Sequence, residues 1–326
     1  MKILICGLGS MGKRRLRLLK SYDSSLEIFG VDSNKNRSDE VSKEFNITVY
    51  DSLETAYAKQ KPSCLFVCAS PLAHYSIIKL GLTLGMHIFT EINVVSDGYE
   101  ELINLAKEKN LKLFLSSTMN YRADIKYISN RVKQTRQKVS YSYHVGQYLP
   151  DWHPWESYQS FFVNDKRTNG CREILTIQIP WIVKCFGEIE EIKSIHGTIS
   201  NLNLNYPDTI IILIKHKTGN IGTFFVDVVA RKPVTNLTIE GNDLFLTWTG
   251  SNGGLFDLDL ETKELKQVEL YKSTTHVSGY SNLIIEEPYL DEIKDFFDYI
   301  KNNKQPIYSF EDDKIVLDWI DKMEDI

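Results

Sequence analysis

The first residues able to do chemistry are six at the amino end, Gly7-Leu8-Gly9-Ser10-Met11-Gly12, spaced as G-x-G-x-x-G. In that spacing Gly7 permits a tight turn, Gly9 lets the backbone approach a pyrophosphate, and Gly12 lets a helix pack close to the preceding strand. The amides that open the helix, at Ser10 and Met11, then bind the anion. Asp32 lies 20 residues after the last glycine (32 − 12). A carboxylate there accepts hydrogen bonds from a ribose 2′-hydroxyl and repels a 2′-phosphate, so NAD is the expected cofactor. Arg37 keeps NADP as the alternative. A lone G-x-G-x-x-G is weak, but strand, helix and acid in register with it favour a dinucleotide site over a structural glycine turn.

Between residues 144 and 156 lies the densest polar and aromatic cluster. Tyr148, Trp152 and Trp155 alternate there with His144, Asp151 and His153. Such a mixture suits a sugar, whose apolar face stacks on aromatic rings while its hydroxyls are hydrogen-bonded. Removing a hydride from a carbinol needs a base for the hydroxyl proton, and His153 is the expected group, assisted by Asp151 or Glu173. Lys166, Arg167, Arg172 and Glu173 follow, the two arginines suited to a phosphate or carboxylate on the substrate. The plainer alternative is a buried loop whose aromatics and prolines only pack on a sheet, with the charged residues solvated. His87, His196, His216 and His276 have no partners at ligand spacing and are expected to be structural or exposed.

These groups need a frame. At ~150 residues per domain, 326 residues imply about two domains. Hydrophobic residues at 42%, charged residues at 25%, and only 18 glycines and 9 prolines describe an ordinary globular chain and exclude a fibrous or disordered one. The net charge of −5 leaves no basic field for a phosphate backbone, so nucleic acid is not an expected partner. No apolar run approaches the ~18 residues of a membrane span, so no membrane role is expected. Lys13, Arg14, Arg15 and Arg17 stand where a signal peptide would continue its apolar run. Five cysteines without a Cys-x-x-Cys pair point to a reduced, cytoplasmic protein with no metal site.

Strand-like and helix-like segments alternate through the first third: strands at Lys2 to Cys6, Leu26 to Val31, Thr48 to Tyr50, Ser63 to Ala69, His87 to Thr90 and Leu111 to Leu115. Helices are expected at Met11 to Leu19, Ser38 to Glu44, Ala73 to Gly85 and Gly98 to Lys109. That order implies a doubly wound parallel (Rossmann) sheet, an α/β fold that binds its ligand at the carboxyl ends of its strands. From Val139 the runs become β-rich and are broken by hairpin-type dipeptides, which implies an α+β domain with a large, mostly antiparallel sheet. Helices at Tyr289 to Asn302 and Lys314 to Met323 close the chain. The expected domains are residues 1–121, for the dinucleotide, and 122–326, for substrate and oligomerisation. No internal repeat is present.

Further motifs carry a family resemblance. Ser70-Pro71-Leu72-Ala73-His74 and the run GLTLGMHIFTE ending at Glu91 resemble the [ST]-P-x-x-H and E-K-P segments of the glucose-fructose oxidoreductase / myo-inositol dehydrogenase (Gfo/Idh/MocA) family. Asn120-Tyr121-Arg122 at the crossover and the closing EEPYLDEIKDFFDYIKNNKQPIYSFED extend the resemblance over most of the chain. It implies that Ser70 and Pro71 sit at the nicotinamide side, that His74 and Asn120 lie near the cofactor, and that Glu91 approaches the nicotinamide ribose. It also implies a homodimer or homotetramer formed through the open sheet face.

Two departures bear on the reaction. The family's E-K-P is Glu91-Ile92-Asn93, so its proton-handling lysine is an isoleucine. Counting back from Gly187, the family's H-x-x-D positions fall on Ile177 and Pro180, and neither exchanges a proton. Three readings remain. The first is an NAD-dependent oxidoreductase of a sugar or sugar derivative, activated or acidic, with a non-lysine base. The second is a cofactor-binding sensor or partner protein without dehydrogenase activity. The third is an enzyme that uses tightly held NAD transiently for elimination or epimerisation.

Overall fold

The structure, a computed structural model, describes residues 1–153, 156–271 and 285–325. The chain divides into two compact units: Met1–Thr118 with Glu287–Lys314, and Met119–Glu286 with Ile315–Ile326.

In the first unit, β1 (Lys2–Cys6), α1 (Ser10–Tyr22), β2 (Glu27–Val31), α2 (Lys35–Phe45), β3 (Val49–Tyr50), α3 (Leu53–Gln60), β4 (Cys64–Val67), α4 (His74–Thr83), β5 (His87–Thr90), α5 (Tyr99–Glu108) and β6 (Leu113–Leu115) follow in order. The sheet order is β3-β2-β1-β4-β5-β6, parallel throughout. This is the Rossmann arrangement, with the reversal of strand order beside β1 and β4, where such sheets bind ligands. Helices cover both faces, so Ile3 to Ile5 and Cys64 to Val67 are fully buried, which is why these strands read as continuous apolar runs.

Helix α3 has no counterpart among the expected elements. It buries only Leu53 and Ala56, too few to make a periodic stripe, and its local signal is the cap in which Ser52 accepts from the Thr55 amide. The helix α8 (Glu287–Asn302), expected to close the second domain, packs with α1 in the first unit. Tyr22 stacks on Phe297 at 5.0 Å. Phe296 sets its ring edge-to-face against Phe66 and Phe89 of the sheet, 5.4 and 5.6 Å away.

The second unit begins with α6 (Ala123–Gln134) and β7 (Val139–Gly146), continues with α7 (Gly170–Phe186), and then runs through β8 (Ile189–Gly197), β9 (Thr209–His216), β10 (Ile221–Asp227), β11 (Val234–Gly241), β12 (Leu244–Trp248), β13 (Leu255–Leu258) and β14 (Leu265–Gln267). The sheet order is β14-β13-β12-β11-β7-β10-β9-β8. Among the described strands only β7 and β10 pair in parallel, so this sheet is mixed and mostly antiparallel. Alternate residues such as Tyr141, Tyr143, Phe224, Ile212 and Ile239 are buried with Trp181, Phe186 and Trp248. Their neighbours in sequence face the other way, and Ile195, Ile211, Leu213 and Ile221 are exposed there.

Helix α7 hides from periodicity because it is buried almost all round, is rich in isoleucine, and carries Pro180 inside it. The last helix is α9 (Phe310–Met323). All five cysteines are free thiols. Among the described residues, no helix is long and apolar enough to cross a membrane.

Candidate functional site

The glycine loop has the geometry its spacing demands. Gly7 holds φ at +90°, and a Cβ there would stand 2.6 Å from the Cys68 carbonyl. A Cβ on Gly12 would stand 2.0 Å from the Gly7 oxygen. At Gly9 a Cβ would meet nothing within 4 Å, so this glycine faces open space where α1 begins. Gly9 is also the N-cap of α1 and supplies no side chain to the helix's first amides. Room for a ligand where the helix begins is what a dinucleotide diphosphate requires, so these residues fit NAD.

Asp32 follows β2 and is buried. Its Oδ2 accepts from the Leu8 amide at 2.7 Å and from Arg37 Nη1 at 3.2 Å, and its Oδ1 accepts from the Asn34 amide at 2.8 Å. The carboxylate therefore ties the glycine loop to the end of β2 and holds a half-exposed arginine beside it. Met11 turns its sulfur to Arg14 Nη1, 3.1 Å away. Ser70 is exposed and its carbonyl accepts from the Ala73 amide, while Pro71 is buried. Asn120 lies buried in the single-turn helix Thr118–Tyr121.

Two residues that the resemblance places near the cofactor are engaged within the fold. Glu91 receives Arg15 Nε at 2.6 Å and Nη2 at 3.1 Å, a bidentate pair. Arg15 Nη2 also reaches Glu292 at 2.6 Å and Ser116 at 3.1 Å, and Nη1 reaches the Tyr289 carbonyl at 3.0 Å. Burial works against the Arg15 charge, but Glu91 and Glu292 together outweigh it and push the guanidinium pKa upward. His74 is buried, with Nδ1 2.6 Å from Asn93 Oδ1 and Nε2 2.9 Å from the Ala69 carbonyl. Burial pulls its pKa down against these hydrogen bonds. Both ring nitrogens are occupied, so His74 braces the Ala69 turn and the Asn93 segment.

The second unit contains a cavity of about 260 Å³ lined by Val145, Gly146, Gln147, Trp152, Glu173, Ile174, Ile177, Gln178 and Pro233 to Thr235. It falls just below the ~300–1,000 Å³ usual for small-ligand pockets. Glu173, in the first turn of α7, lines it, and its buried Oε2 has no hydrogen-bond partner among the described residues. Burial raises its carboxyl pKa to about 7. A group poised near neutrality can take a proton in one step and return it in another.

Gln178 is the site residue that sequence reading missed. Its Oε1 accepts from Tyr143 Oη at 2.9 Å and from Trp181 Nε1 at 2.8 Å. An indole nitrogen can only donate, so that amide atom is fixed as the oxygen, and the Gln178 Nε2 is left as a donor for a ligand. No motif marks a lone glutamine; only its place on α7, five residues after Glu173, brings it to the wall.

The other expected substrate residues are dispersed. Trp152 lines the cavity and donates from Nε1 to the Gln147 carbonyl at 3.1 Å. His153 does not line it: its Nδ1 sits 2.8 Å from Glu156 Oε1 and its ring stacks on Phe161 at 4.5 Å. Asp151 is exposed, as is Lys166. His144 pairs through Nε2 with Asp227 Oδ2 at 2.7 Å and stacks on Phe225. Arg172, expected to meet a substrate anion, is buried and already bound to Asp321 at 2.6 Å and Glu324 at 2.5 Å. Trp155 and His276 lie outside the described residues. His216 is structural, between Tyr141 Oη and the Gly187 carbonyl.

Residues 1–117 match the model of the Gfo/Idh/MocA oxidoreductase family, described as an NAD-binding Rossmann fold. A comparison with curated protein sequences finds no match. Among solved structures, levoglucosan dehydrogenase in complex with NADH is similar at TM-score 0.80 and 14% identity, over 100% of this chain and 97% of that one. The WlbA dehydrogenase from Bordetella pertussis, in complex with NADH and UDP-GlcNAcA, is similar at 0.79 and 12%, over 99% and 94%. UDP-N-acetylglucosamine 3-dehydrogenase GnnA from Acidithiobacillus ferrooxidans is similar at 0.74 and 14%, over 99% and 96%. At such identities the likeness shows the shared fold.

Proposed function

The chain belongs to the Gfo/Idh/MocA oxidoreductases through the NAD-binding Rossmann domain of residues 1–117, and from that premise we propose that it is an NAD-dependent oxidoreductase acting on a carbinol of a sugar or sugar derivative. The observation that carries this reading is Glu173: a carboxyl raised by burial to a pKa of about 7, with an oxygen that has no partner among the described residues, on the wall of a small-molecule cavity. Such a group costs stability and is retained where a proton must move.

Gly7, Gly9, Ser10, Met11 and Gly12 hold the cofactor diphosphate, and Asp32 binds the adenosine ribose with Arg37 beside it. Ser70 and Pro71 complete the cofactor site. Bound NAD supplies the hydride acceptor. Glu173 takes the hydroxyl proton, Gln178 donates to a sugar oxygen through Nε2, and Trp152 offers its ring to an apolar sugar face. The open cofactor loop and the sugar dehydrogenases among the structural relatives support this assignment.

We place the protein in the cytoplasm, because five free thiols persist best in a reducing compartment. We also infer a homodimer or homotetramer: Ile195 is 71%, Leu213 51% and Ile221 54% exposed on one sheet face, an apolar surface of the kind that marks an interface.

The test is NADH formation against neutral sugars, sugar acids, sugar phosphates and nucleotide sugars. Turnover that Glu173→Gln abolishes while NADH binding persists supports the reading. Absence of turnover across the panel with both NAD and NADP removes it, and light scattering decides the oligomer.

A further inference from the structure

We propose that Arg231, held over the ring of Tyr148, is an oxyanion-binding group beside the cavity, so that the substrate carries a carboxylate or phosphate and is not a neutral sugar. This rests on the reading of that cavity as a substrate site. The Arg231 Cζ lies 3.7 Å from the centroid of the Tyr148 ring. Arg231 is exposed, and among the described residues no acidic side chain forms a salt bridge with it or with neighbouring Lys232. Other arginines of this unit are answered by carboxylates, as Arg131 is by Asp257 and Arg172 by Asp321 and Glu324.

Both members of the stacked pair adjoin the cavity wall in sequence. Tyr148 follows Gln147, whose carbonyl holds the Trp152 indole, and Arg231 precedes Pro233 by two residues. The two segments are fastened to each other. Leu149 donates its amide to the Val228 carbonyl at 2.9 Å, and Gln147 donates to the Asp227 carbonyl at 3.3 Å. Asp227 Oδ1 accepts from the Val229 and Ala230 amides at 2.9 and 2.7 Å, and this fixes the turn that leads into Arg231.

A guanidinium laid over an aromatic ring keeps its N–H edges outward in a planar fork, the geometry that binds a carboxylate or phosphate in bidentate fashion. The turn and the stack hold the side chain before any ligand arrives, which lowers the ordering cost of binding. The arginine suited to a substrate anion is thus Arg231, since Arg172 is consumed by two carboxylates of its own unit.

Calorimetric titration of the whole chain with glucose, glucuronate, glucose 6-phosphate and UDP-glucuronate tests this without requiring turnover. The expected result is at least tenfold tighter binding of one or more acidic ligands than of glucose, falling to parity in Arg231→Gln and weakening as chloride rises. Comparing glucuronate with glucose 6-phosphate separates a carboxylate site from a phosphate site. Equal binding of glucose and the acidic ligands overturns the proposal, as does no binding by any of them. An anion preference that survives Arg231→Gln but is lost in Lys232→Gln also overturns it. Anion binding without turnover on any sugar leaves this inference standing and removes the dehydrogenase reading; turnover of neutral sugars alone does the reverse.

Discussion

Arg15 and Glu91, 76 residues apart, form a bidentate ion pair inside the first unit, with Nε 2.6 Å from Oε1 and Nη2 3.1 Å from Oε2. Glu292 from α8 is the second carboxylate on the same guanidinium, and its Oε1 also accepts from the Ser117 amide at 2.7 Å and from Ser116 Oγ at 2.9 Å. The pair thus joins α1, the end of β5, the end of β6 and α8 through one side chain. Glu91 stands at the carboxyl end of the sheet, and the pair locks that end together.

Removing the cation leaves two buried carboxylates on one spot. Arg15→Met is expected to cost about 3–5 kcal/mol, the usual penalty for breaking a buried pair from one side. Burial already holds the Glu292 carboxyl above its ordinary range, and Arg15 only partly offsets that. A carboxyl raised in the folded state contributes stability below its unfolded pKa and loses it as pH rises through the folded one. The Arg15→Met defect should therefore be smaller at pH 5 than at pH 8 in urea unfolding, and Glu91→Gln added to it should recover part of the loss. A variant as stable as the parent at pH 8 would show the network to be dispensable.

Cofactor choice is decided at Asp32 and Arg37. Asp32→Ala should weaken NADH binding about tenfold, the value of one charge-assisted hydrogen bond, and bring the NADH and NADPH affinities closer together. Arg37→Ala should weaken NADPH alone, because the arginine has no 2′-phosphate to meet in NADH. Fluorescence titration of both nucleotides checks this, and a parent protein that prefers NADPH would reverse the assignment.

The sequence made the Rossmann half readable for a local reason. Each buried strand is a short apolar run, and the glycine loop and Asp32 lie within 26 residues of one another, so spacing alone carries their relationship. Arg15 shows the opposite case: nothing near it in sequence distinguishes it from Lys13 or Arg17, because its partners stand 76 and 277 residues away. Helix α8 was legible as an amphipathic helix but not as part of the first unit, since periodicity reports that a face is buried and not against what. Glu173 was legible as a candidate by residue type, whereas Gln178 was obscured by the helix that carries both, whose apolar surround and Pro180 conceal its 3.6-residue period. His153 drew attention by residue type, and only the fold shows it paired with Glu156 and absent from the cavity wall.

That placement yields a contrast between two variants. His153→Ala is expected to change kcat/KM by less than about threefold, whereas Glu173→Gln should lower kcat by ~10²–10⁴, the usual contribution of a positioned acid or base. Steady-state kinetics on whichever sugar is turned over decides it. A large loss in His153→Ala with little change in Glu173→Gln would move the base back to the aromatic loop.

The raised carboxyl of Glu173 makes two linked expectations with a definite sign. As a base it must be ionised, so the oxidation rate should climb as pH rises through about 7 and then level off, and Glu173→Gln should lack that limb. As a buried acid raised by desolvation it stabilises the fold in its neutral form: its contribution is complete below the ordinary carboxyl pKa and is lost as pH rises through about 7. Glu173→Gln, neutral at every pH, should therefore melt higher than the parent at pH 8 and close to it at pH 4. A variant that is less active yet more stable only on the alkaline side is what a carboxyl kept for proton transfer requires, because there the fold bears the cost of ionising a group in a dry wall. Equal melting curves at pH 8 would mean that water already reaches Glu173 and that its pKa is ordinary, which would remove the main reason for assigning it the proton.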